Sequence, residues 1–203
     1  LTLAEQGASN VDVGSDQLVI QYRAFDPNGF DCEGGAISQD DIDEGTFIVQ
    51  RYYLRADGEA SNLALVCDAG RYKTIVATAS LPTSVSGLGT QSQIIMRRVD
   101  YFRVLLGVKQ NNSDNFSYMT IDEYIGDGNK LDVDGNPRHR IMSIQVGLLA
   151  RGYDSIAESN PAVNKFKVLD KEVTLKTTDA NYVREVVSQT VALRNGYGLM
   201  EEL

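Results

Sequence analysis

The alternation of hydrophobic and polar residues predicts a series of β-strands along the chain. Gln17 to Phe25 alternates apolar with polar positions, and the Asp26-Pro27-Asn28-Gly29 run that follows has strong turn-forming chemistry. Thr46 to Arg55 and Leu63 to Cys67 are the next predicted strands, and the Asp57-Gly58 pair between them favours a tight hairpin. The first third of the chain therefore predicts antiparallel strand pairing.

The rest of the chain continues this pattern with more apolar segments. Five of these read as strands, of which the first and last also fit an amphipathic helix: Val99 to Val108, Phe116 to Tyr124, Ile141 to Ala150, Phe166 to Lys176 and Tyr182 to Arg194. Ile141 to Ala150 is apolar enough for a central strand buried on both faces. Ser, Thr and Gly are frequent from Ile75 to Gln93, which predicts a long surface connection. We expect an α+β, β-rich fold with antiparallel sheets, in one domain over residues 1–203.

Charge and hydropathy narrow the classes of partner. The chain has 19 basic and 28 acidic residues, for a net charge of −9. Phosphate backbones would be repelled by such a surface, so we expect no nucleic-acid partner. No segment approaches the roughly 20 consecutive apolar residues that cross a bilayer. Because the chain starts at Leu and not Met, we expect that an upstream segment has been removed and that the remainder is soluble.

A single histidine limits the catalytic options. His139 lies between Arg138 and Arg140, just before an apolar strand, and no nucleophile motif such as GxSxG accompanies it. We interpret His139 as a solvated residue at a strand edge and predict no catalytic residue. One histidine and two distant cysteines also do not supply zinc ligands at finger or protease spacing.

The Gly-, Asp- and Asn-rich loop from Gly126 to Pro137 is the best candidate for a metal site. Its oxygen ligands would be Asp127, Asn129, Asp132 and Asp134, which suit calcium. The spacing breaks the EF-hand pattern, because Leu131 falls at a ligand position when the loop starts at Asp127. A solvated turn is the favoured interpretation, and we predict no metal and no cofactor.

Paired carboxylates occur at Asp40-Asp41 with Asp43-Glu44, and again at Asp122-Glu123. Acid/base catalysis needs carboxylates on opposite sides of a cleft, and the sequence does not bring these pairs together. We interpret them as solvated faces, which makes a hydrolase the least supported class of function.

The two cysteines, Cys32 and Cys67, leave two interpretations open. The predicted hairpin would return Cys67 toward the earlier strand that ends near Cys32, so a disulfide is geometrically plausible. Closing a loop of this length would stabilise the fold by roughly 3 to 4 kcal/mol in the chain-entropy model. Two unrelated buried thiols fit the sequence equally well.

Several short pieces, in order along nearly the whole chain, resemble the PilW family of type IV pilus minor pilins. They are SDQLVIQYRA, the DCEGG around Cys32, VQRYYLRADG leading to LALVCDAG, VDYFRVLLGV, SIQVGLLARGYD and the closing VVSQTVALRNGYGL. The resemblance implies a pilin-like head related to the J-type minor pseudopilins of type II secretion. It also implies that Cys32 and Cys67 form a pair suited to the oxidising periplasm.

The family carries a processed leader and a long apolar N-terminal helix, and neither is present ahead of Leu1 in this sequence. The resemblance implies that this helix anchors the subunit in the bacterial inner membrane, facing the periplasm, before assembly. After assembly the helix packs in the pilus core. We therefore expect the chain to be the exposed head, with membrane contact only through that helix.

The resemblance also implies a structural role without catalysis. Subunits of this family join other minor pilins, of the PilV, PilX, FimU and PilE types, in a complex at the pilus tip. That complex primes assembly and helps to display a PilY-type adhesin, in adhesion and twitching motility. The alternative function is a secreted β-sandwich binding module, with a calcium-dependent version based on the loop from Gly126 to Pro137.

Overall fold

The structure is a computed structural model that describes residues 2–73, 84–109, 114–126, 139–155, 163–176 and 182–193. Five strands form the first sheet, in the order in which they follow along the chain: β1 (Leu3–Gly7), β2 (Ser15–Arg23), β3 (Phe47–Asp57), β4 (Glu59–Tyr72) and β5 (Gln93–Arg97). All neighbours in this sheet are antiparallel. The predicted β3–β4 hairpin is confirmed, and Gly58 supplies the positive φ of +82° that its tight turn requires.

The second sheet has four strands in the order β11, β8, β6, β7. Its members are β6 (Val99–Lys109), β7 (Phe116–Thr120), β8 (Arg140–Ser155) and β11 (Tyr182–Ala192). A separate hairpin consists of β9 (Lys165–Val168) and β10 (Lys171–Thr174). The predicted antiparallel, β-rich fold class is therefore confirmed.

The main core lies between the two sheets. Apolar side chains of β3, β4 and β6 form it, including Leu54, Leu65, Phe102 and Val104. The opposite face of β6 is covered by a second cluster around Tyr101, which packs against the β9–β10 hairpin and the segment before β2. Because both of its faces are covered, β6 is buried along almost its whole length.

Two short helices begin with capping boxes. Helix α1 (Gln39–Asp43) has Ser38 at its N-cap, and the side chains of Ser38 and Asp41 each accept the other residue's backbone N–H. Residues 121–126 are also helical, and Thr120 and Glu123 make the same reciprocal pair ahead of them. Both pairs satisfy N–H groups that the first turn of a helix leaves free.

Along the part of β6 that β7 does not cover, side chains of β2 accept hydrogen bonds from backbone N–H groups of β6. β7 pairs only with Leu105 to Lys109. Upstream of that, Phe102 N–H donates to Ser15 Oγ at 3.2 Å and Val104 N–H donates to Asp16 Oδ2 at 2.7 Å. These two side chains replace a strand in the hydrogen-bonding ladder and join β2 to β6.

Arg103 of β6 is a buried cation surrounded by carboxylates. It donates to both carboxylate oxygens of Asp170, at 3.0 and 2.8 Å, and forms ion pairs with Glu5 at 3.1 Å and Asp16 at 3.4 Å. Burial alone would lower the pKa of Arg103, but Asp170 and Asp16 outweigh it and the pKa is raised. Arg103 therefore remains charged, and it ties β1, β2 and the β9–β10 hairpin to β6.

Three strand predictions need correction. Phe166 to Lys176 is a hairpin, because the chain reverses at Leu169, whose φ is +56°. Phe116 to Tyr124 is a strand only as far as Thr120, where the capping box starts the helical turn. Ile141 to Ala150 is central, as predicted, but its faces are only partly buried, and the strand buried on both faces is β6.

Other elements were not predicted from the sequence. These are β1, α1 and β5, of which β5 begins at Gln93, where we predicted a surface connection to end. Within the described ranges, no helix combines the length and hydropathy that a membrane span needs.

Candidate functional site

A disulfide joins the connection between β2 and α1 to the first sheet. Cys32 lies in this connection and Cys67 is fully buried in β4, with 6.1 Å between their Cα atoms. The pairing implied by the family resemblance is thus present in the structure. We call residues 24–38 the tethered loop.

Cys32 belongs to a tight reversal within the tethered loop. Gly34 N–H donates to Asp31 O at 3.0 Å, and Asp31 N–H donates to Gly35 O at 2.9 Å. The Asp31 carboxylate accepts two further backbone N–H groups, from Glu33 and Gly35, at 3.0 and 2.8 Å. Gly34 has a φ of +85°, which glycine adopts without the steric cost that other residues meet. The turn is therefore fixed by its own hydrogen bonds as well as by the disulfide.

Arg71, at the end of β4, holds this turn against α1. Its guanidinium pairs with Asp31 at 3.0 Å and with Asp41 at 2.9 Å. It also donates to the carbonyls of Gly35 and Ala36. The pKa of Asp41 lies below its ordinary value because Ser38 N–H donates to it, with Arg71 adding to the effect. One arginine thus fastens the sheet, the loop and the helix together.

The tethered loop exposes two phenylalanines. Phe25 is 78% exposed and Phe30 is 65% exposed, although both belong to a segment whose backbone is held in place. Phe30 forms a β-bridge with Ala36, so its backbone is part of the tight reversal. Phe25 makes an edge-to-face contact with Tyr22 of β2, with ring centroids 6.3 Å apart.

Acidic residues dominate the same part of the chain. Residues 24–50 hold seven carboxylates and no lysine or arginine; the acidic residues are Asp26, Asp31, Glu33, Asp40, Asp41, Asp43 and Glu44. Arg71 pairs with two of them, and Lys73 pairs with Glu44. The surface around the tethered loop is therefore negatively charged.

A large apolar groove opens between the two sheets. Its volume is about 1080 Å³, and its walls come from β2, β6, β8, the helical residues 121–126 and the end of β11. Leu18, Ile20, Leu106, Ile144 and Leu193 are among the lining residues, and all five also belong to the main core or pack against it. The groove is thus a part of the core that the described residues leave open.

Beyond Ala192 and Leu193, which line the groove, β11 exposes two further apolar side chains. Val187 pairs with Leu148 and Val191 pairs with Ile144, so these valines lie on the face of the second sheet that points toward the core. Both are about half exposed, at 47% and 51%, so the described residues cover this face of β11 only in part. Gln189, which pairs with Val146, is exposed between the two valines, so this face of β11 carries both apolar and polar side chains.

The carboxylates of Asp40, Asp41, Asp43 and Glu44 belong to the acidic surface around the tethered loop, and the other residues considered as possible sites lie elsewhere or outside the described ranges. Asp127, Asn129, Asp132 and Asp134 are outside the described residues, and among those described no group of three metal-ligating side chains is present. The Asp40 and Asp43 carboxylates lie exposed on α1, and Asp122 and Glu123 lie exposed on the helical residues 121–126. His139 accepts a hydrogen bond from Tyr124 at its backbone carbonyl.

Sequence reasoning missed Arg71, the exposed phenylalanines and the groove. The absence of basic residues between Arg23 and Arg51 is a signal that could have marked the tethered loop. The groove has no such signal, because its lining residues follow the same pattern as ordinary core residues.

Comparison with known proteins gives one family and one similar fold. Residues 51–195 match the family described as Type IV Pilus-assembly protein W, PilW. A type IV-like pilin from Thermus thermophilus is structurally similar, with 14% identity and a TM-score of 0.44, over 96% of this chain and 82% of that chain. No curated protein matches the sequence. Because the matched residues run from β3 through β11 and make up more than half of the chain, the protein belongs to the type IV pilus-assembly protein W family.

Proposed function

We propose that this chain is the head of a minor pilin, a structural subunit of the type IV pilus that works by binding other subunits and not by catalysis. The observation that carries the proposal is the apolar groove in a protein of a pilus-assembly family. An uncovered apolar surface of this size marks a place where another element packs.

The groove is the seat of the N-terminal helix that the family carries ahead of its head. Thr2 lines the groove, so a helix that precedes the head would end beside the groove. Its apolar side chains would complete the core beside Ile20 of β2 and Ile144 of β8, and would cover Val187 and Val191 of β11. A helix covering one face of a sheet is a standard way to bury such a surface.

The helix also accounts for the proposed location. It would hold the subunit in the bacterial inner membrane, with the head in the periplasm, and would later pack in the pilus core. In the assembled state the head belongs to a tip complex with PilV-, PilX-, FimU- and PilE-type subunits, which primes assembly and helps to display a PilY-type adhesin. A periplasmic location agrees with the disulfide between Cys32 and Cys67, since disulfides persist in oxidising compartments.

A pull-down of this head against the other minor pilin heads of the same operon tests the proposal. We expect reproducible binding to at least one of them, with intact mass showing Cys32 and Cys67 oxidised in the same samples. If no head binds and the thiols are free, the tip-complex proposal is wrong. The binding-module alternative is then the next hypothesis to test.

A further inference from the structure

The tethered loop presents Phe30 to solvent on a fixed framework, and we propose that Phe30 is an anchor that docks into a neighbouring subunit of the tip complex. The partner site is an apolar pocket bordered by lysine or arginine side chains. This inference rests on the proposed function and adds to it the surface through which the head binds.

The framework around Phe30 distinguishes it from other exposed apolar residues. Single exposed apolar side chains are common on proteins and by themselves need no explanation. Phe30, however, is 65% exposed at the base of a turn that the Cys32–Cys67 disulfide links to β4. Arg71 binds the same turn through Asp31 and two carbonyls. The loop is therefore held in one conformation while its aromatic ring stays in water.

Such an arrangement favours binding because the backbone of the loop is already ordered before the partner docks. A loop that is flexible before binding loses conformational entropy when it docks, and this loss weakens the complex. Here the hydrogen bonds of the Asp31 carboxylate to Glu33 and Gly35 hold the backbone already. Phenylalanine adds only two side-chain torsions, and buried aromatic rings are frequent anchors at protein interfaces.

The charge around Phe30 defines the rim of the partner site. Arg71 and Lys73 pair with three of the seven nearby carboxylates, while Asp26, Asp40 and Asp43 have no ion pair within the described part of the chain. A complementary surface must therefore be basic where it meets this loop. The same negative charge disfavours anionic lipid headgroups as the partner, so the occupant is a protein surface.

Phe30 lies outside the groove, on a separate part of the surface. Phe25 lines the groove, whereas Phe30 does not, so a helix seated in the groove leaves the proposed anchor available. The two surfaces thus serve different contacts: one within the subunit and one between subunits.

The test compares Phe30→Ser with wild type for binding to the PilV-, PilX-, FimU- and PilE-type heads of the same operon. Tyr153→Ser is the matched control, because Tyr153 is an aromatic residue that is 80% exposed on β8 and lies outside the tethered loop. We expect Phe30→Ser to weaken binding to one of these heads at least about tenfold, and Tyr153→Ser to change it by less than about twofold. Phe30→Leu should retain most of the binding, since it keeps an apolar side chain.

Two further measurements separate docking from misfolding and from general stickiness. The melting temperature and the intact mass of Phe30→Ser should match wild type, because an exposed side chain contributes little to the core. Asp26→Asn should slow association, and added salt should do the same in wild type, because the rim charges attract the partner.

The outcomes distinguish this inference from the proposed function. If wild type binds a partner head and folded Phe30→Ser binds it equally well, the proposal that Phe30 is an anchor is wrong. The proposed minor pilin role is then unaffected. If wild type binds none of the heads, the tip-complex proposal and the anchor both fail.

Discussion

At Arg103, one buried side chain links three parts of the protein. The side chain is 3% exposed and forms ion pairs with Asp16, Glu5 and Asp170, which come from β2, β1 and the β9–β10 hairpin. Asp16 is fully buried, and its charge is compensated by Arg103 and by the N–H groups of Glu5 and Val104. Removing the cation would leave a buried carboxylate with too little compensation.

Arg103→Met should therefore lower the free energy of unfolding by about 3 to 5 kcal/mol, because the Asp16 carboxylate would lose its buried counter-ion. Urea unfolding of the variant and wild type measures this difference. Arg97→Met is the matched control, since Arg97 is exposed and pairs with Asp57 at the surface. That change should cost at most about 1 kcal/mol. Equal losses in the two variants would contradict a special role for the buried network.

The lowered pKa of Asp170 predicts how the stability of the protein changes at low pH. Partial burial would raise its pKa, but the hydrogen bonds and charge of Arg103 outweigh this effect, and the pKa lies below the ordinary value of 3.8. The stability that Asp170 contributes is therefore present above pH 3.8 and is lost as the pH falls through its lower folded-state pKa. We expect the stability difference between wild type and Asp170→Asn to shrink below pH 3.8. Urea unfolding over a pH series checks this, and a constant difference down to low pH would contradict it.

The stability that Asp16 contributes changes with pH in the opposite direction, because its pKa is raised and not lowered. Burial raises its pKa, although N–H groups of Glu5 and Val104 and the charge of Arg103 act against the increase. Its contribution is fully present below pH 3.8 and declines as the pH rises through the raised pKa. Asp16 and Asp170, two of the three carboxylates that pair with Arg103, thus respond to pH in opposite directions.

At the scale of elements, irregular connections are fixed by specific bonds. The tethered loop contains no strand and yet carries a disulfide, a carboxylate with two backbone hydrogen bonds, and the contacts of Arg71. The hairpin β9–β10 similarly depends on Asp170 and on apolar packing of Val168 and Val173 for its position.

Replacing both cysteines by serine should lower the free energy of unfolding by about 3 to 4 kcal/mol. The disulfide closes a loop with a sequence separation of 35, and opening it increases the entropy of the unfolded chain. Urea unfolding of Cys32→Ser/Cys67→Ser measures the effect. Wild type under reducing conditions provides the control and should show a similar loss. Unchanged stability in both cases would show that the bond contributes nothing to folding.

At the scale of the whole molecule, the two sheets do not close over each other. The first sheet covers β6 but not β11, which leaves the groove and the valines of β11 open. The proposed helix completes this core, so the stability of the head should depend on its presence.

Ile20→Asp provides a test of that dependence. In protein that carries the family's N-terminal helix, a charge in the groove would oppose packing of the helix and should lower the melting temperature markedly. In the head alone, where Ile20 is only partly buried, the effect should be smaller. Both forms are melted in the same detergent, with Ile95→Asp as control because Ile95 is exposed on β5. Equal effects of Ile20→Asp in both forms would contradict helix seating in the groove.

Sequence reasoning succeeded where local pattern and turn chemistry coincide. The strands β2, β3, β6 and β11 were predicted from alternation and from β-branched or aromatic residues, with a helical alternative left open for β6 and β11, and the β3–β4 hairpin was predicted from Asp57-Gly58. It failed at β1, whose polar sequence carries no strand pattern, and at the β9–β10 hairpin, where Leu169 takes a left-handed φ without any glycine to mark the turn. The single domain over residues 1–203 stays a prediction.

The amino-acid sequence by itself determined the antiparallel β-rich class and the family resemblance, because strand periodicity, turn residues and motif order are properties of neighbouring residues. From the sequence alone the pairing of Cys32 with Cys67 stayed open; the resemblance implied it and the tertiary structure shows it. Only the tertiary structure decided that Arg103 meets carboxylates far away in the chain, that Arg71 fastens the tethered loop, and that the apolar faces of β2 and β8 leave a groove open. These features depend on which strands lie side by side. A core residue and a groove residue have the same sequence pattern until packing covers one and leaves the other exposed.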